Sequence, residues 1–113
     1  MIASTPEPPY WAVIFTSERT EVAEGYEQTA GEMEALAAQQ AGYLGIESAD
    51  GITVSYWRSL EDIAAWRRQA DHLAAQRAGR EKWYRRYALR VARVERASAF
   101  TAETASTPAA SRS

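Results

Sequence analysis

The sequence predicts an α+β domain whose elements follow in the order β-α-β-β-α-β, the split βαβ arrangement of ferredoxin-like domains. Three observations carry that prediction. A short run of aromatic and β-branched residues, "YWAVIFT" (10–16), reads as a strand. A second stretch, "YLGIESADGITVSYW" (43–57), reads as two strands around an Asp-Gly turn. Each of these is followed by a segment with apolar residues at helical spacing.

The chain has 113 residues, 46% of them hydrophobic and 25% charged, which fits one globular domain and excludes a disordered chain. Its ends differ from its middle. "STPEPP" is proline-rich and "TAETASTPAASRS" is small and polar, so residues 1–9 and 101–113 are expected to be tails around a folded domain at 10–100. No cysteine is present, which removes disulfides, thiolate metal sites and a thiol nucleophile. The start "MIASTPEPPY" has neither a basic nor an apolar signal region, and no run approaches the ~20 apolar residues of a membrane span. The expectation is a cytoplasmic protein that engages no membrane.

Charge is uneven. Residues 1–62 carry eleven acids against Arg19 and Arg58, and residues 63–96 carry ten bases against Asp71, Glu81 and Glu95. The bases alternate with acids, alanines and aromatics instead of forming a block, so a solvated face is expected and nucleic acid is not.

The first strand is too short for a helix and too apolar to have one wet face, so both of its sides should be covered. After it, "SERTEVAEGYEQTAGEMEALAAQQ" (17–40) offers Ser17 or Thr20 as N-cap, with Tyr26, Met33, Leu36 and Ala37 at helical spacing. An amphipathic helix of about five turns is predicted, ended by Gly42. In the hairpin that follows, Asp50-Gly51 supplies the turn. On its second strand Ile52, Val54 and Tyr56 share one face, and Thr53, Ser55 and Trp57 the other.

Ser59 then caps a second helix with Glu61 and Asp62 in its first turn, and Leu60, Ile63, Trp66, Ala70 and Leu73 form its apolar stripe. Gly79 breaks this helix. "REKWYRRY" (80–87) reads as one or two further helical turns, and "ALRVARVERASAF" (88–100) as the closing strand. A sheet in this order carries helices on one face only. The apolar first strand therefore implies a cover for the other face, and the same face of a second copy supplies it, which predicts a homodimer.

His72 is the only histidine. On a wheel of about 100° per residue it falls opposite Ile63, Trp66 and Ala70, so either it faces solvent or the helix bends near Asp71 and turns it inward. Its neighbours Asp71 and Gln76 make no metal-ligand spacing with it, no serine sits at a nucleophile elbow, and no phosphate-binding glycine loop is present. No metal site is expected. What remains is one titratable ring beside a large aromatic supply: Tyr56 and Trp57 on the hairpin, Trp66 on the helix, Trp83, Tyr84 and Tyr87 after Gly79. These rings form a core, and some of them could line a pocket for a flat organic molecule.

The stretch "SYWRSLEDIAAWRRQADHLAAQRAGREKWYRRYALRVARVER" (55–96), with YW-x-S-x3-I-x2-W-x5-H and, after Gly79, WY-x2-Y, resembles the second half of antibiotic biosynthesis monooxygenase (ABM) domain proteins. The resemblance implies a dimeric α/β barrel built from two ferredoxin-like subunits. Enzymes of that superfamily oxidise aromatic polyketides, quinols or haem with O2, several of them without metal or flavin. It implies here a cofactor-independent monooxygenase acting on a small aromatic or quinol-type substrate. His72 and Trp66 would then be the catalytic residues, and Trp57, Tyr56, Trp83 and Tyr87 the substrate-binding ones. Two alternatives accompany it: haem binding or oxidation with His72 as the ligand, and a dimeric binding protein without chemistry. The haem-degrading branch keeps a tryptophan at the place of Trp66 but has its iron-binding histidine ten residues later, where this chain has Gln76, and it has an asparagine on the first strand where "YWAVIFT" has none.

Overall fold

The structure, a computed structural model, describes residues 2–102. The C-terminal tail expected at 101–113 lies, from residue 103 on, outside the described residues. The elements are β1 (Tyr10–Arg19), α1 (Tyr26–Ala38), β2 (Tyr43–Ala49), β3 (Ile52–Trp57), α2 (Leu60–Arg77), α3 (Gly79–Trp83) and β4 (Tyr84–Val94). The four strands form one antiparallel sheet in the order β2-β3-β1-β4. This is the ferredoxin-like α+β fold, with one short extra helix before the last strand.

Three elements differ from the sequence reading for one shared reason. β1 does not end at Thr16. It continues to Arg19 because β4 pairs along its whole length, down to the Arg19–Tyr84 rung. Ser17 is therefore a strand residue whose N–H donates to the Gly51 carbonyl at 2.9 Å, and Thr20 donates its hydroxyl to the Lys82 carbonyl at 2.7 Å. Neither caps a helix. α1 starts later, after Gly25 in the left-handed region (φ 81°), and has 13 residues instead of five turns. The same pairing takes Tyr84 to Tyr87 out of the helix expected there and into β4.

The register sorts every strand residue to one of two faces. Val13 lies opposite Ser55 and Val91, and packs with Ala37, Trp57 and Ile63, so the odd residues of β1 face the helices. Trp11, Tyr43, Trp66 and Leu89 surround this core. Tyr10, Ala12, Ile14 and Thr16 face the other way, beside Ile52, Val54 and Tyr56 of β3. No helix covers that side. Residues 2–9 form neither helix nor strand, and they run along its β2 edge, where Ala3 N–H donates to Glu47 Oε2 at 2.8 Å. Among the described residues, no helix is long and apolar enough to cross a membrane.

Candidate functional site

α2 is held at its start by Ser59, whose hydroxyl accepts from Asp62 N–H at 3.1 Å, and it runs unbroken to Arg77. That fixes the fate of its two notable side chains. Trp66 lies inward and stacks on Trp57, with ring centroids 5.1 Å apart and planes at 29°. Trp57 is fully buried at 0% exposure, donates its indole N–H to Ser55 Oγ at 2.8 Å, and takes the edge of Tyr43 at 5.7 Å. Trp11 closes the row next to Trp57.

Trp66 differs from Trp57 in one respect. Its Nε1 is buried and has no hydrogen-bond partner, the one buried side-chain polar atom among the described residues left in that state. A buried donor without an acceptor costs about 1–3 kcal/mol, so folded proteins rarely keep one.

His72 is exposed, as expected for an unbent helix. It lines a shallow cleft of about 380 Å³ with Leu36, Arg68, Gln69 and Leu73, on the outer side of α1 and α2. The two helices are clasped around it by Gln69 donating to Gln40 Oε1 at 3.0 Å and by the bidentate Arg77–Glu32 pair at 2.9 and 3.1 Å. None of the tryptophans lines this cleft.

The other expected site residues occupy two further places. Tyr56 is on the opposite face of the sheet from its neighbour Trp57, donating its hydroxyl to Glu47 Oε1 at 2.6 Å. Burial, and then the hydrogen bond to the Glu47 carboxylate, push its phenol up to about 12. Trp83 is buried at the far end of the molecule, its indole N–H on the Glu24 carbonyl at 2.9 Å. Its ring passes so close to Gly79 that a Cβ there would sit 2.7 Å away, which is why a glycine starts α3. Around it stand Tyr26, Tyr84, Phe15 and Tyr87 in successive ring contacts of 5.3–6.2 Å. The Arg19 guanidinium lies 3.3 Å over Tyr26. Burial is also the first cause, ahead of the Tyr26 hydrogen bond, of the upward shift of the Tyr84 phenol.

Of the six expected residues the fold thus joins Trp57 and Trp66, sets Trp83 and Tyr87 in a second aromatic group, and separates Tyr56 and His72 from both. Trp11, Tyr43 and Leu89 belong to the first group and were not singled out as site residues. The alternation Trp11, Val13, Phe15 in "YWAVIFT" was the available signal, because it matches the period of Ser55 and Trp57. Beside this layer β4 is poorly covered: Val91 and Tyr87 face the helix side and are 41% and 40% exposed.

Among the described residues, no group of three or more His, Cys, Asp or Glu could hold a metal ion. His72 does not fit an axial haem ligand. No hydrogen bond among the described residues orients its ring, the apolar wall of its cleft is only Leu36 and Leu73, and Gln76, at the haem branch's histidine position, is exposed as well.

Comparison with known proteins places this geometry. No family model matches the chain. The crystal structure of PA3566 from Pseudomonas aeruginosa is similar in fold, with a TM-score of 0.57 over 82% of this chain and 99% of that one, at 15% identity. An uncharacterised protein of Bacillus subtilis (strain 168), YqjZ, is 51% identical over 108 residues, spanning 91% of this chain and 95% of its own. Identity at that level along nearly the whole of both chains makes this protein a member of the same family as YqjZ.

Proposed function

We propose that this protein is a small homodimeric oxygenase of the antibiotic biosynthesis monooxygenase type, which seats an aromatic or quinol-type molecule against Trp57 and Trp66 and lets it react with O2. The buried, unpartnered Nε1 of Trp66 carries this reading. A flat ligand entering along the β4 edge would stack on the indole layer and offer an oxygen to that donor. When such a substrate loses a proton to water at the edge of the layer, negative charge collects on that oxygen, and a fixed donor beside it stabilises the anion more than the neutral ligand. The electron-rich anion then reduces O2. For a ring CH2 the balance is one oxygen atom into a new carbonyl and the other into water. The homodimer is supported by the helix-free sheet face, where Ile14 and Val54 stand side by side and only half-buried.

The position of His72 favours a second reading. The one imidazole of the chain stands on the outer face of α2, away from Trp66. A protein that binds the same ligand without chemistry needs only the indole layer and its donor.

The test uses an anthrone and a dihydroquinone with wild type, Trp66→Phe and His72→Ala, reading indole fluorescence for binding and an oxygen electrode for turnover. We expect quenching and oxygen uptake in wild type, a loss of about tenfold or more in uptake for Trp66→Phe, as for one hydrogen bond to a charged oxygen, and little change for His72→Ala. Quenching without oxygen uptake would select the binding protein. Absence of both would reject the site.

A further inference from the structure

The cleft beside His72 is built from a different part of the fold than the indole layer. It lies over the seam where α1 and α2 run antiparallel, and that seam is crossed by rows one helical turn apart. Gln40 meets Gln69 at one end, and Glu32 meets Arg77 at the other. Leu36 and Leu73 lie in the turn between these clasps, both half-buried and both lining the cleft. Bonded at both ends, the helices keep a fixed spacing, so the apolar floor is preformed. From Gln69 to Arg77 it runs about 12 Å, at about 1.5 Å per helical residue.

One bank of the cleft is cationic. Arg68 and His72 are one turn apart on α2, both exposed and both lining the cleft. Further along this surface the cations are matched, Arg77 by Glu32 and Arg80 by Asp71. Arg68 is not matched: among the described residues it has neither an ion pair nor a hydrogen bond, and the His72 ring has no hydrogen bond either. The cleft thus joins an apolar floor to a cation without a counter-ion.

The geometry points to a binding site for a small carboxylate with a short aliphatic chain, the chain lying along Leu36 and Leu73 and the carboxylate taking the Arg68 guanidinium and an N–H of the His72 ring. A guanidinium presents parallel N–H donors that match the two oxygens of one carboxylate, and an imidazole keeps at least one N–H donor in either protonation state. A phosphate dianion asks for more positive charge than one free arginine supplies, because Arg77 is already held by both oxygens of Glu32. Size sets the other limit. A volume of about 380 Å³ is at the low end of the ~300–1,000 Å³ of small-molecule sites, which suits a short chain and leaves a wide ring overhanging its two leucines. Water screens a charge pair at exposed side chains, so the affinity belongs in about the millimolar range.

The experiment is an NMR titration of the full chain, labelled at its leucine methyls and observed also at its indole N–H groups, with circular dichroism as a check that each variant is folded. The probes are octanoate, 1-octanol, which has the chain without the charge, and acetate, which has the charge without the chain. Octanoate should shift the Leu36 and Leu73 methyls and saturate, whereas 1-octanol and acetate should each bind about fivefold or more weakly. Arg68→Gln should weaken octanoate by about fivefold and leave 1-octanol unchanged. Arg67→Gln, at a neighbouring exposed arginine that does not line the cleft, should leave octanoate unchanged. Equal binding of octanoate and 1-octanol, or octanoate binding indifferent to Arg68→Gln, would overturn the proposal by removing its charged bank. Acetate binding as tightly as octanoate would overturn it by removing the apolar floor. Shifts confined to the Trp57 and Trp66 indoles, or no saturable shift, would reject the cleft as a site.

Discussion

Tyr56 and Trp57 are adjacent in the chain and serve opposite sides of the sheet, because successive strand residues point to opposite faces. Trp57 is sealed under the helices, whereas the Tyr56 hydroxyl binds a carboxylate on the uncovered face. The pair it makes with Glu47 has a legible pH signature. Hydrogen bonds from Tyr56 and then Ala3 hold the Glu47 carboxyl below its ordinary 4.5, so the stability it lends is complete above that pH and is lost as pH falls through the lowered value. Tyr56 behaves in the opposite sense. Its phenol is raised from 10.0 to about 12, so an unfolded chain releases that proton first, and stability declines as pH rises from 10 towards 12. Glu47→Gln should lower the Tyr56 value without returning it to 10.0, because burial is the larger cause and survives the substitution. Tyrosine Cζ NMR shifts followed through an alkaline titration would show this, and a Tyr56 value unmoved by Glu47→Gln would mean that the 2.6 Å bond does not persist in solution.

Elements were legible in the sequence wherever a local rule decided them. Ser59 caps α2 because its own hydroxyl does the work, and Gly51 makes the hairpin turn because its φ of 78° belongs to glycine. The start of α1 was not legible. Ser17 and Thr20 have cap chemistry, but β4 pairs with β1 from a distance of some seventy residues and draws Ser17 into the sheet, which no local pattern records. Two glycines flanking this account give opposite predictions. Gly31 sits exposed inside α1, where a Cβ would meet nothing within 4 Å, so Gly31→Ala should stabilise the protein by about 0.5–1 kcal/mol. Gly42 ends the turn after α1 at φ 82°, and a Cβ there would overlap the Asp62 carboxylate. Gly42→Ala should therefore destabilise by about 1–3 kcal/mol, since it combines left-handed strain with displacement of Asp62, which accepts the Ser59 hydroxyl at 2.9 Å. Urea midpoints of the two variants on opposite sides of wild type would be the supporting result, and a stabilised Gly42→Ala would refute it.

At the scale of the molecule, composition and alternation were enough to place a sheet under two helices, yet they did not divide the aromatic residues into groups. Spacing along the chain puts Trp57, Trp66, His72 and Trp83 in one stretch. The fold separates them, because α2 turns His72 outward as it turns Trp66 inward, and because α3 sends Trp83 to the far end beside Tyr26. Only the sheet register joins Trp11 and Tyr43 to Trp57, and register depends on pairing between distant segments. The molecule therefore hangs on one aromatic layer, and Trp57 is its centre: fully buried, stacked on Trp66, and the donor to a buried Ser55. Trp57→Ala should cost about 3–5 kcal/mol for the cavity alone, a large share of the ~5–15 kcal/mol that stabilises a domain. Loss of the indole also leaves the Ser55 hydroxyl without that partner, which adds to the cost. His72→Ala should stay within about 0.5 kcal/mol, as for an exposed helix residue. Denaturation by urea, followed at one fixed protein concentration, separates the two. A His72→Ala loss approaching that of Trp57→Ala would place the imidazole inside the fold and reverse the assignment of the indole layer as the centre of stability.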